Sequence, residues 1–415
     1  MMSTARITNA LIPILRFPKF NGEGVETRLV DLCHRIGDGI HSTPVYSDIG
    51  EYHFINGNNL RDGVIEIGGT TKKLTSEEAK KHYRPLSENS ILLSINGTIG
   101  NMAFYRHEKV VLGKSACYID VKSDDASKDY IYNLLATNRV ITYFSSELTG
   151  STIKNLSLAA VKNLGIHLPS LPEQRKVACF LTAVDGRIGQ LSQKKALLED
   201  YKKGVMRQLF TQALRFKDDH GNEFPEWEEK RLGDVTKWSS GGTPAKDKPE
   251  YWDGDIPWMT AASMHGRYYD DSPLKITPMG LRNGSRMTQK GSILLLVRGS
   301  MLWNRIPVGI AIRDVAFNQD VKALVPSGEV LASFLLQWFI GSENKLLHTV
   351  VGTGIGAGKL DTDEMKSMEL LLPSLPEQTK IADFLSALDR KIESVASQIR
   401  ETQAFKKGLL QQMFV

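Results

Sequence analysis

Cysteine is scarce in this chain: Cys33, Cys117 and Cys179 are the only three in 415 residues. None stands in a C-x-x-C or beside histidines at ligand spacing, and in the internal repeat Cys179 faces Asp383. A disulfide framework and a structural zinc are thereby excluded, and a reducing cytosol fits. Long apolar runs are missing too. No stretch approaches the roughly 18 residues that a membrane helix needs, and Ala10 to Leu15 is too short for a secretory h-region and is broken by Pro13. The excess of one charge is small: 52 Lys and Arg against 47 Asp and Glu leave +5, which permits a polyanionic partner without requiring one. With 41% hydrophobic and 24% charged residues, the composition is that of a globular protein of two or three domains.

Signatures of catalysis are lacking as well. The run from Gly352 to Lys359 invites a phosphate-loop reading, but a Walker loop ending at Gly358-Lys359 needs Gly at 353 and Ser or Thr at 360, where this chain has Thr353 and Leu360. A flexible loop beside a polyanion and a plain surface loop both remain open. Glu364-Met365-Lys366 has the form of the E-x-K end of a metal-dependent nuclease motif, yet no Pro-Asp partner precedes it; a solvated helix start is the better reading. The Asn/Asp-Pro-Pro-aromatic signature of amino-methyltransferases and the G-x-S-x-G elbow are absent. The chain reads as non-catalytic.

What the sequence has is repetition. Leu168 to Phe210 returns without a gap as Leu372 to Phe414, with nearly half of the positions identical. Each copy opens on LPSLPEQ, where Ser170/Glu173 and Ser374/Glu377 have the spacing of a capping box and Pro172 and Pro376 fall in a first turn that tolerates them. Apolar residues then step by four and three: Val177, Leu181, Val184, Ile188, Leu191, and Ile381, Leu385, Leu388, Ile392, Val395, Ile399. That is a coiled-coil seam on a helix roughly 60 Å long. A rod of that length cannot bury its seam against a small domain of its own, so the other copy, running antiparallel, is the expected partner. Two unpaired amphipathic helices are the alternative.

The repeat extends outside the helices. Leu15-Arg16-Phe17 returns as Leu214-Arg215-Phe216, Ser42-Thr43-Pro44 as Gly242-Thr243-Pro244, and Ser90-Ile91-Leu92-Leu93 as Ser292-Ile293-Leu294-Leu295. Strands are expected at Ser90 to Ile95, Val110 to Val121, Ser292 to Val297 and Val321 to Val325, and helices near Lys128 to Phe144 and Val330 to His348. The rods match closely and the globular parts only at framework points, which suggests one scaffold carrying two divergent recognition surfaces.

The remaining polar, basic residues sit in loops of a kind that touches nucleic acid. In the first copy they are Thr43, Lys72, Lys73, Arg84, Asn96, Thr98, Thr152 and Lys154, with Lys80, Lys81, His82 and Lys114 nearby in sequence. In the second they are Thr243, Lys246, Lys248, Arg267, Arg286, Arg298, Ser300 and Lys359, with Arg282. Lysine and arginine would neutralise phosphates, while Arg298 or Asn96 could make bidentate contacts to guanine or adenine edges. Singly, each fits a solvated surface; as a set over two matching copies, DNA explains them better.

The doubled LPSLPEQ, the following A-x-F-L-x-A-x-D (Ala178 to Asp185, Ala382 to Asp389) and the helix endings Lys202-Lys203-Gly204 and Lys406-Lys407-Gly408 resemble the repeated conserved region of type I restriction–modification specificity subunits. Gly241 to Pro244, Gly254 to Trp258, Arg298 to Ser300 and Ala316 to Asp320 are similar to framework points of that family's target recognition domains. The resemblance implies an α+β fold: two mixed α/β target recognition domains separated by two long helices forming an antiparallel coiled coil. The corresponding domains are 1–167 and 213–371, with helices over 168–212 and 372–415. It further implies a non-catalytic subunit in which each domain reads one half of a bipartite double-stranded DNA target while the helices set the spacer. The expected partners are two adenine-methyltransferase subunits and the ATP-driven nuclease–translocase (restriction) subunits. S-adenosylmethionine, ATP and Mg²⁺ would sit on those partners, none on this chain, in the cytoplasm of a bacterium or archaeon. A duplicated protein-binding scaffold that never touches DNA is the rival reading.

Overall fold

The computed structural model describes residues 13–151, 154–354 and 356–414. The chain folds as two units, one made of the described residues up to Ser192 together with those from Ser397 onward, the other of Gln193–Ala396.

In the first unit an antiparallel sheet runs in the order Cys33–Asp38, Ala116–Val121, Ser90–Ser94, Met102–Phe104. All five residues of Ser90–Ser94 are buried, as expected of an apolar run covered on both faces. A smaller sheet sets Tyr52–Ile55 antiparallel to Lys73–Leu74 and parallel to Val110–Leu112. The single strand expected over Val110 to Val121 is therefore two, one in each sheet. It breaks at Gly113, where any side chain would overlap the Asn56 amide. The helix expected over Lys128 to Phe144 is also two, Lys128–Leu135 and Asn138–Ser146. Thr137 separates them and accepts the Val140 N–H as N-cap of the second.

The second unit repeats this plan with more strand. One sheet runs Thr236–Ser240, Val321–Pro326, Ile293–Leu296, Val308–Ala311, Tyr268–Tyr269; the other runs Lys275–Ile276, Trp252–Met259, Val315–Phe317, Arg286–Thr288. Gly39 and Gly241 occupy matching places: a side chain there would run into the Leu112 carbonyl in one unit and the Phe317 carbonyl in the other. Val330 to His348 is again divided, into Ala332–Gly341 and Glu343–His348.

The two long helices are Leu171–Phe210 and Leu375–Met413. In the first unit, Val177, Leu181 and Val184 of one helix share a core with Leu409, Met413 and Phe414 at the end of the chain, and Lys406 Nζ lies 2.7 Å from the Asp185 carboxylate. In the second unit, Val205, Met206 and Leu209 meet Ile381, Ala382 and Leu385, and Lys202 Nζ lies 2.6 Å from Asp389. Advancing from Asp185 to Lys202 on one helix matches retreating from Lys406 to Asp389 on the other, so they run antiparallel. Burial of Lys202 works against its charge and lowers its pKa, with Asp389 opposing that shift.

The capping boxes expected at the LPSLPEQ segments do not form, because the glutamates have stronger partners. Glu173 accepts from Arg16 Nε and Nη2 at 2.6 and 2.7 Å, and Glu377 from Arg215 Nε and Nη2 at 3.2 and 2.9 Å. A guanidinium outbids a backbone N–H for a buried carboxylate, and Ser374 Oγ is left without a hydrogen-bond partner. The adjacent glutamines tie each helix start to its unit: Gln174 Oε1 accepts the Ser127 N–H at 2.9 Å, and Gln378 Oε1 the Leu331 N–H at 2.8 Å.

One carboxylate gives the first unit an acid sensitivity. Lys81 above all, then the Val45 N–H and His82, hold Glu78 down to about 2. With its folded pKa below the unfolded one, Glu78 stabilises the unit fully above about pH 4.5 and loses that contribution as pH falls towards 2. Glu78→Gln is expected to flatten the pH dependence of stability across that window, read as urea midpoints by circular dichroism from pH 5 to 2.5; an unchanged slope would contradict the assignment.

Candidate nucleic-acid interface

The same backbone device ends the central strand of both units. In the first, the Ile95 N–H donates to the Ser115 carbonyl at 3.0 Å while the Ile95 carbonyl accepts from Leu156 N–H at 2.8 Å. Asn96 then bridges Asn155, in the short ribbon Leu148–Thr149 with Asn155–Leu156. In the second, Val297 N–H donates to the Asp320 carbonyl at 2.8 Å and its carbonyl accepts from Leu360 N–H at 2.9 Å. Arg298 then pairs Lys359, which also pairs Val351. Each unit thus presents a small platform: a strand end, a ribbon, and the turn before the neighbouring strand.

Asn96, Thr98 and Lys154 stand on the first platform, with Lys114 on the neighbouring strand end. Thr98 Oγ1 is held by Ser94 Oγ at 3.1 Å, and the Gly97 N–H contacts the Lys154 carbonyl at 3.4 Å. Thr152 lies outside the described residues. Arg298, Ser300 and Lys359 stand on the second platform, all three exposed. The Gly352 to Lys359 run is therefore a β-hairpin, Val351–Gly352 against Gly358–Lys359, that pairs with Arg298–Gly299; it has no strand–loop–helix cradle for a nucleotide phosphate. Glu364 to Lys366 lies in the short helix Thr362–Ser367, capped by Asp361.

The other residues divide into two kinds. Arg84 donates to the Asp38 and Tyr83 carbonyls and Arg267 to the Val308 carbonyl, so both guanidinium groups brace backbone. Lys72, Lys246, Lys248 and Arg286 are exposed and Lys73 is half-buried. Like Lys154, Arg298 and Lys359, they make no side-chain hydrogen bond or ion pair among the described residues. The cations of the scaffold behave otherwise, since Arg16, Arg215, Lys202 and Lys406 are each committed to a carboxylate. Unpaired charge is what a phosphate backbone needs. Thr43 is exposed on the loop after Gly39. Its counterpart Thr243 donates from Oγ1 to Gln319 Oε1 at 2.7 Å, and Arg286 lies across from Phe317 in the register of the same sheet. Thr243, Arg286 and Gln319 are thereby gathered at one edge.

Two further candidates escape a reading of charge and loops. Gln319 is exposed in the platform turn itself, with a free amide N–H₂. Trp303 is 49% exposed, and its Nε1–H donates to the Gly356 carbonyl at 3.0 Å, which pins the indole against the hairpin. A large exposed aromatic in a polar turn was the available signal. Trp303→Ala is expected to weaken duplex binding about tenfold, the lower part of the range for an aromatic contact with bases, measured by fluorescence anisotropy; equal affinity would exclude Trp303 from the interface.

These features define a duplicated α+β scaffold with one polar platform per unit. A family model, the type I restriction modification DNA specificity domain, matches residues 22–200 and again 225–402. The chain belongs to that family, and its function is DNA sequence specificity in a type I restriction–modification system. The MjaVIII specificity subunit of Methanocaldococcus jannaschii is 23% identical over 384 residues, covering 87% of this chain and 84% of that one. The EcoR124I/EcoR124II specificity subunit of Escherichia coli is 30% identical over 186 residues, 44% of this chain and 45% of that one. The fold matches the S subunit of a type I restriction–modification system from M. genitalium with a TM-score of 0.59 at 16% identity, over 98% of this chain and 99% of that one. Among the described residues no helix is long and apolar enough to cross a membrane.

Proposed function

We propose that each unit reads one half of a bipartite duplex target through its platform, and that the antiparallel helices fix the spacer between the halves. The observation that carries this is the platform built twice on equivalent backbone bonds with different side chains: Asn96 opposite Asn155 in one unit, Arg298 opposite Lys359 in the other. Identical frames with unlike side chains suit two different half-sequences. The close match of the two helices suits docking of the same methyltransferase subunit twice. Nuclease–translocase subunits complete the complex, which would act as a site-specific deoxyribonuclease and adenine methyltransferase. The catalytic cofactors, S-adenosylmethionine, ATP and Mg²⁺, belong to those partners.

Half-sites read from one face of B-DNA lie about one turn, roughly 34 Å, apart unless the duplex bends or twists. Deleting one heptad from both long helices is expected to change the spacer while leaving both half-sequences intact, as methylation mapping would register. An unmoved spacer in a complex that still assembles would refute the ruler. A scaffold that binds only proteins would instead show no salt-sensitive, sequence-dependent duplex binding.

A further inference from the structure

The first unit holds a second polar concavity away from its platform. Tyr105 donates its N–H to the Ser90 carbonyl at 3.1 Å, at the start of the strand whose far end carries Asn96. Six residues of strand, roughly 20 Å, separate the two places. Here Tyr52, Tyr83, Tyr105, His107, Lys80 and Arg84 line a cleft of about 400 Å³, within the roughly 300–1,000 Å³ usual for small-molecule sites.

The lining is aromatic and, on balance, basic: three tyrosines and two histidines stand with Lys80, Arg84 and Lys109 against one carboxylate, Glu108. Burial raises the Tyr105 pKa, and Glu108 and the phenols of Tyr83 and Tyr52 push the same way. The Tyr105 and His107 rings lie 5.6 Å apart. His107 is held at φ +68°, a conformation that few non-glycine residues adopt. Tyr83 is 72% exposed at the mouth. Lys80 makes no side-chain hydrogen bond or ion pair among the described residues, whereas Lys109 is taken by Glu51 and His82 by Glu78. In the second unit the equivalent bond runs from Ala311 N–H to the Ser292 carbonyl, and Asp314 stands where Lys109 precedes its strand. The charge at that place differs between the copies, Lys109 in one and Asp314 in the other, so the shared scaffold does not fix this lining.

We infer that this cleft binds a nucleoside phosphate, the base stacked among the tyrosines and His107 and the phosphate met by Lys80 and the free edge of Arg84. The ligand is either a free mononucleotide or an unpaired nucleotide of a strand.

The test is binding of dAMP and of single-stranded dA8 to the full chain without duplex, by saturation-transfer NMR and calorimetry. At least one probe should bind at millimolar affinity or better. Tyr83→Ala and Lys80→Ala, both exposed, should each weaken it about tenfold, while Lys217→Ala, on an exposed ion pair outside the cleft and the platforms, leaves it unchanged; the platform variants Asn96→Ala and Lys359→Ala are read on duplex alone. Comparable affinity for the two probes identifies a free nucleotide as the ligand; dA8 bound and dAMP not identifies a strand. No binding of either probe at millimolar concentration, or binding that ignores both cleft variants, would overturn the assignment. Since the platform variants report duplex reading separately, failure here leaves the proposed target recognition untouched.

Discussion

Arg298→Ala is expected to weaken binding to the target duplex by about 10- to 100-fold and to relax sequence preference in one half-site only. A bidentate arginine–base contact discriminates by about 1–3 kcal/mol, and Arg298 projects from a strand end locked on both sides by the Asp320 and Leu360 backbone bonds. Its pairing partner in the ribbon, Lys359, should behave differently. As a phosphate contact, Lys359→Ala should weaken binding evenly across sequences and reduce the slope of log K against log salt by about one. Asn96→Ala should relax the other half-site. Competition binding against duplexes randomised in one half at a time separates these outcomes. A loss spread evenly over all sequences in Arg298→Ala would remove that residue from base reading.

Arg215→Ala should cost the second unit about 3–5 kcal/mol, the usual effect of stripping one partner from a buried ion pair. Glu377 is fully buried and also accepts Trp227 Nε1–H at 2.9 Å; without Arg215 its charge keeps only that neutral donor. All six tryptophans, Trp227, Trp238, Trp252, Trp258, Trp303 and Trp338, fall in the second unit, so tryptophan fluorescence in urea follows that unit alone. The fluorescence midpoint should drop sharply in Arg215→Ala and less in Glu377→Gln, where an amide replaces the charge. Arg16→Ala, which strips Glu173 of its partner in the first unit, should shift the circular-dichroism transition and leave the fluorescence midpoint in place. A fluorescence midpoint within 1 kcal/mol of wild type for Arg215→Ala would show that the pair is not what seats the helix.

The long helices were legible because their signal is local and repeated: a four–three apolar step over forty residues has few other solutions. Of the seam positions, Val177, Leu181, Val184, Leu191, Ile381, Leu385 and Val395 are buried, while Ile188, Leu388, Ile392 and Ile399 are half-buried. The capping boxes were misread because the spacing of Ser170 and Glu173 cannot register an arginine 157 residues away. The platforms were half legible. Asn96, Thr98, Arg298 and Ser300 follow buried strands within a few residues, but the pairing of Asn96 with Asn155, beside Lys154, and of Arg298 with Lys359 depends on a ribbon closed from distant sequence. Arg84 and Arg267 looked like the other cations, and only their carbonyl partners reveal them as braces. The Gly352 to Lys359 run shows the same limit, since glycine spacing alone does not separate a hairpin from a phosphate cradle.

The most direct test of two independent readers on one scaffold is to exchange residues from about 25 to 167 for those of another family member and map methylation in a host expressing the full complex. The account predicts a target in which one half-sequence is new, the other half is retained, and the spacer is unchanged. Alteration of both halves, or retention of both, would contradict it.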